Sequence, residues 1–263
     1  MIPPSEGFWG PPTSTVDWCE ANYERTRYVC ELYNTLSSAA LLGAGVLGAS
    51  LHWKTLERRF IVAFAALAVV GIGSIAFHAT LRFELQMLDE LPMLYTALVM
   101  IFIVTEDRPQ RRFGALFPAL LVVHGVAVTC LSAFTRGAVQ FYAFQTSFAT
   151  MEGYALYATY RVYRRSRDAV PRRLYRAGMA SYAIAVALWF IDIRACGVLQ
   201  GYLPQHGIPN PQFHAWWHVL VSIGFYLLVL TLAWERLRVL GSPRALRFAA
   251  GAIPYIERGA QRA

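Results

Sequence analysis

The 263-residue chain has little charge: Asp, Glu, Lys and Arg together make up 15% of it. Soluble globular chains carry about 25%. Intrinsic disorder, which requires high charge and low hydrophobicity, is excluded. Four cysteines in 263 residues are too few for a small disulfide scaffold. The first thirty residues hold no uninterrupted apolar core, so no cleaved signal peptide is expected. Repeats and low-complexity segments are absent as well. Hydrophobic residues, by contrast, reach 56%, which is too much for one ordinary soluble core.

Those residues fall into seven windows near the ~20 residues needed to cross a bilayer. They are Leu32–Leu51, Phe60–Ala79, Leu91–Thr105, Phe113–Phe134, Phe141–Tyr160, Ala177–Ile193 and Phe213–Trp234. The expected fold is all-α, a polytopic seven-helix transmembrane bundle with short connections. The third window is short and is expected to begin earlier, around Leu85–Asp89. The fifth contains Gln145, Thr146, Ser147 and Glu152, so it is expected to face other helices, not lipid. The chain divides into a luminal N-terminal segment (1–31), a helical domain (32–238) and a cytosolic C-terminal tail (239–263).

The net charge of +8 is explained by topology. Of the 24 Lys and Arg residues, 19 lie in the loops after helices one, three and five and in the C-terminus. The positive-inside rule then places the C-terminus in the cytosol and the N-terminus in the lumen or outside the cell. The arginines suit anionic headgroups, not nucleic acid. Cys19 and Cys196 both fall on the non-cytosolic face, where disulfides persist, and a bridge between them is expected. Cys30 and Cys130 suit buried free thiols.

Three histidines fall on that same side. His214 and His218 are spaced i, i+4 and project from one helical face, and His78 closes the second helix at matching depth. Three imidazoles plus an open position form a catalytic zinc shell. Histidines merely bonded to backbone carbonyls are the structural alternative. Ser74, four residues before His78, points the same way. Asp89 is a candidate general base, or else a carboxylate complementing a helix N-terminus before Pro92. Glu90 suits that capping role better. Glu152 and Asp192 are assigned to structural hydrogen bonds, and His52, His124 and His206 to structural or loop positions. Asp17, Glu20, Asn22 and Glu31 concentrate oxygen ligands of the kind a hard cation takes, without an EF-hand pattern. A solvated acidic cap is the alternative.

The run Trp9-Gly10-Pro11-Pro12 through Asp17-Trp18-Cys19-Glu20, with Gly73–His78, Leu88–Met93 and Phe213–His218, resembles the alkaline ceramidases. The likeness runs from Trp9 to the seventh helix. Adiponectin-receptor-like proteins share the Ser-x-x-x-His, Asp and His-x-x-x-His elements, but the first two runs favour the ceramidases. The resemblance implies zinc on His78, His214 and His218 with Asp89 and Ser74 beside the activated water. It implies calcium on Asp17, Glu20, Asn22, Glu31 and the Trp18 carbonyl, and a luminal Cys19–Cys196 disulfide. It further implies hydrolysis of a membrane lipid, ceramide, dihydroceramide or phytoceramide, with reverse synthesis possible, in the endoplasmic reticulum or Golgi. The rivals are a seven-helix receptor with a structural or signalling zinc and a transporter, which would place paired charges at mid-depth.

Overall fold

Among the described residues of the computed structural model, 7–258 except 109 and 111, seven long helices carry the apolar windows in order. They are α1 (Leu32–His52), α2 (Arg58–Thr80), α3 (Phe83–Thr105), α4 (Leu116–Phe134), α5 (Gly137–Arg165), α6 (Ala169–Arg194) and α7 (Phe213–Val239). Six are long and apolar enough to cross a membrane; α5 has the length but is too polar. As expected, α3 begins ahead of its apolar window, at Phe83, and it continues through Pro92. Arg111 and Arg262 of the basic set lie outside the described residues.

Inside a bilayer lipid tails are as apolar as leucine, so helices associate through close packing and buried polar bonds. α1 lies along α2 and α7, α2 along α3, and α6 along α7. α1 buries Asn34, Ser38, Leu41, Gly45, Gly48 and His52, a stripe at helical spacing. Gly45 lets the α1 and α2 backbones approach: a Cβ there would meet Ala68 N at 2.4 Å. α5 packs on α3 and α4 but barely touches α6, which leaves a slot between them.

The bundle has two differently finished ends. At the first, residues 7–31 fold over the end of α2: Thr13 and Ser14 N–H both donate to Leu81 O, and Glu31 N–H donates to His78 O. The Cys19–Cys196 disulfide fastens this segment to the connection before α7. At the opposite end, the C-terminal segment is not only a polar tail. Arg244–Ala249 (β1) and Ile253–Arg258 (β2) form an antiparallel hairpin. It docks through buried Ile256, whose N–H donates to His52 Nε2 at 3.0 Å, and through Tyr226 OH donating to Pro254 O at 2.7 Å.

Three expectations need correction. Cys130 is exposed, because α4 buries only Gly125, Val128 and Ser132; Cys30 is buried as expected. α5 does not turn all its polar residues inward: Thr146 is exposed, and its hydroxyl is satisfied by its own helix, donating to Tyr142 O at 2.6 Å. Glu90 is no cap-side acid. It lies two turns inside α3 and is buried, accepting from Gln86 Nε2 at 2.8 Å and Gln140 Nε2 at 2.6 Å.

Candidate active site

α2 ends at Leu81, whose left-handed conformation (φ 48°) turns the chain sharply into α3. That turn puts His78 one turn from the helix end, opposite the first turns of α7 that carry His214 and His218. All three rings are buried, and their ligand atoms lie within 4.8 Å of one another. Among the described residues this is the cluster of His, Cys, Asp or Glu that closes to metal-binding distance.

Two of the rings have an outer nitrogen engaged. His78 Nδ1 is 2.5 Å from Glu31 Oε2, and His218 Nδ1 is 2.8 Å from Ser37 Oγ. A carboxylate on Nδ1 fixes the proton there and leaves the Nε2 lone pair free, the usual outer arrangement around a metal-bound imidazole. His78 Nε2 is buried without a protein partner, and so is His214 Nδ1. The His214 ring is stacked between Trp18 (centroids 3.9 Å) and Trp217 (5.3 Å). Buried polar atoms are rarely left unpaired. Two buried imidazoles with an unpartnered nitrogen, beside a third whose Nε2 meets only Ser74 Oγ at 3.4 Å, therefore fit a divalent metal.

Ser74 and Asp89 meet beside the histidines. Ser74 Oγ is 3.4 Å from His218 Nε2 and 3.0 Å from Ser38 Oγ, and it hydrogen-bonds the Asp89 carboxyl. Gly73 makes this possible. A Cβ at that position would lie 1.8 Å from Leu88 O, so only glycine lets α2 approach α3 so closely. Asp192 accepts from Cys19 N at 3.2 Å and His214 N at 3.3 Å, tying the N-terminal segment to the start of α7. Its expected structural role is the one it fills here.

The acidic N-terminal set is drawn together around the start of α1. Glu20 accepts from the Tyr33 and Asn34 N–H groups at 2.7 and 2.8 Å, capping a helix whose own N-cap residue, Glu31, makes no capping bond. Burial pushes the Glu20 carboxyl up to about 7, with neighbouring Glu31 and Glu24 adding to the rise. Burial also raises Asp17, and it raises Glu31, where Asp17 contributes. Asn22 donates to Asp17 at 3.0 Å, while its buried Oδ1 has no protein partner. An orphaned oxygen amid mutually repelling carboxylates fits a cation.

Below the histidines, Asp89, Glu90, His214 and Trp217 open onto an elongated cavity of about 280 Å³ between α3, α5, α6 and α7. A larger apolar groove of about 790 Å³ between α2, α3 and α4 touches none of these residues. His52 bonds Gly48 O and the hairpin, and His206 bonds Tyr202 O, both away from the site; His124 is exposed on α4.

The family profile described as Ceramidase matches residues 10–257, a span that holds every residue just described. The chain belongs to the ceramidase family. It is 32% identical over 260 residues to "Alkaline ceramidase 3" of Mus musculus, covering 95% of this chain and 94% of the mouse protein. It is 28% identical to "Alkaline ceramidase" of Arabidopsis thaliana, with 95% and 94% covered. It is 32% identical to "Alkaline ceramidase YPC1" of Saccharomyces cerevisiae, with 89% and 79% covered.

Sequence reasoning missed Ser37, Ser38, Gln86 and Gln140, and it missed Glu31 as the partner of His78. One signal was available: Glu31, Asn34 and Ser38 are polar at i, i+3 and i+7 on an apolar helix, which marks an inward polar face.

Proposed function

We propose that the chain hydrolyses the amide bond of ceramide, giving a sphingoid base and a fatty acid, at a zinc centre on His78, His214 and His218. The observation that carries this reading is the buried histidine cluster with unpartnered ring nitrogens, in a chain of the ceramidase family. When bound, zinc supplies Lewis-acid chemistry that polarises an amide carbonyl and makes water nucleophilic near neutral pH.

The chain's own side chains supply the proton chemistry. Asp89 takes a proton from the attacking water and returns it to the leaving nitrogen. Ser74 donates to Asp89 at rest and to the developing oxyanion once that carboxyl has taken up its proton. Glu31 and Ser37 hold the rings of His78 and His218 in orientation. The cavity keeps an alkyl tail out of water while the amide reacts, and the same groups serve the reverse condensation. Dihydroceramide and phytoceramide present the same amide.

Calcium is assigned to Asp17, Glu20, Asn22, Glu31 and the Trp18 carbonyl, where it would brace the N-terminal segment against the bundle. We further read α5 as a seventh crossing, lined on its inner face by Gln140, Phe144, Met151 and Ala155. The histidine end, with its disulfide, then faces the lumen of the endoplasmic reticulum or Golgi, and the arginine-rich end faces the cytosol. On this reading 1–31 is a luminal cap, 32–238 the catalytic bundle and 239–263 a cytosolic segment.

The test is metal analysis of the purified protein together with fatty-acid release from ceramide. Stoichiometric zinc and release abolished by a chelator are expected. A metal-free protein, or one inert toward every ceramide, overturns the proposal.

A further inference from the structure

Glu152 is not used by the chemistry above, yet it lines the same cavity, and its carboxyl hydrogen-bonds Tyr182 of α6. The wall residues place this pair by depth. The lining stops at Met93 on α3, at Trp217 on α7 and at Tyr182 on α6, while on α5 it runs to Leu156. Above the pair the walls are Phe144, Phe148, Val186 and Phe190. A shaft that is apolar apart from Gln145 therefore opens at the histidines and meets a carboxyl and a phenol near its far end, with only Gly153 and Leu156 of α5 further along.

Two helices give similar lengths. Gln140 of α5 is level with Glu90 through their hydrogen bond, and Glu152 lies 12 residues further on. Asp192 of α6 is level with His214, and Tyr182 lies 10 residues away. At about 1.5 Å per residue the shaft is roughly 15–18 Å deep. A carboxyl at the end of such a shaft is costly to strip of its remaining hydration. A tail short of the floor leaves that hydration in place, whereas a tail that reaches it does not.

We propose that Glu152 and Tyr182 form a polar floor that sets the alkyl-chain length the site accepts. This inference rests on the ceramide reading above. At roughly 1.2 Å per bond of an extended chain, the tail meets the floor after on the order of 12–15 carbons. Glu152 is thus a specificity-determining residue and takes no part in the chemistry.

The test is a competition assay on purified wild type, Glu152→Leu and Tyr182→Phe. One ceramide series varies the acyl chain over a fixed base, and a second varies the base over a fixed acyl chain. The series whose profile moves identifies the tail that occupies the shaft. In that series the ratio of kcat/KM for long over short tails should rise at least about fivefold in Glu152→Leu, and less in Tyr182→Phe. Such a ratio does not depend on how much of each variant folds. Length profiles parallel to wild type in both variants overturn the proposal. A wild type that hydrolyses no member of either series fails the ceramide reading instead.

Discussion

His52 and His78 are both fully buried, and both have Nδ1 engaged, but they differ in what faces the other nitrogen. His52 Nε2 accepts the Ile256 N–H of the hairpin, so the ring is complete and serves as a bracket between α1 and the C-terminal segment. His78 Nε2 faces two more imidazoles and no donor. Burial by itself therefore does not separate the two histidines; the count of satisfied nitrogens does. The same contrast runs through both ends of the bundle. At the hairpin end, Arg236 pairs with Glu57 at 2.8 Å and Ser166 donates to Glu235 at 2.6 Å. At the histidine end, Glu31 and Ser37 engage the Nδ1 atoms of His78 and His218 while His78 Nε2 keeps no protein partner.

The largest effects should come from breaking the histidine end. Asp89→Asn should lower ceramide turnover by about 10²–10⁴-fold while zinc content stays unchanged. Full activity in that variant would remove Asp89 from the chemistry. Gly73→Ala should cost on the order of 10²-fold in kcat, because the added carbon collides with Leu88 O and pushes Ser74 away from Asp89. A variant that binds zinc normally and turns over normally would show that this approach has no catalytic importance. Glu31→Gln should weaken zinc affinity by about 10–100-fold, measured by chelator competition. Unchanged affinity would reduce Glu31 to a cap residue.

The hairpin end should respond in stability and not in turnover. His52→Ala leaves the Ile256 N–H without its partner, while the Gly48 carbonyl keeps the helical N–H of residue 52, and should cost about 1–3 kcal/mol. Activity per folded molecule should remain at the wild-type level. Denaturation midpoints measured beside single-turnover rates separate the two, and a turnover defect at unchanged stability would erase the contrast with His78.

How much of this was readable beforehand follows from what each feature depends on. Helices, the i, i+4 pair and Cys19 facing Cys196 depend on period, length and side of the membrane, all local or countable. The Ser37–His218 and Gln140–Glu90 bonds join residues far apart in sequence, and no spacing announces them. The capping role expected of Glu90 fails because helix starts are poorly marked: α3 begins at Phe83 with no side-chain cap, so a start expected around Leu85–Asp89 puts Glu90 in the first turn when it lies two turns in. The hairpin was hidden by its turn. Ala250 and Gly251 both take positive φ (48° and 74°), and alanine gives no hint of that conformation where asparagine or aspartate would.

The smallest effect, and the one that sharpens the comparison most finely, concerns Glu20. Its carboxyl stands at about 7 in the folded protein against an ordinary value of 4.5. Between those values the folded chain retains a proton that the unfolded chain has released. Stability in the absence of calcium must therefore fall as pH rises from 4.5 to 7 and level off above. Asp17 and Glu31 are raised as well, so they act in the same direction. A bound cation favours the ionised carboxylates and should flatten or reverse the slope. Thermal melts across that range, with chelator and with calcium, read both branches. A flat profile in chelator, or one unchanged by Glu20→Gln, would mean that these acids are a solvated cap, as finished in its own way as His52.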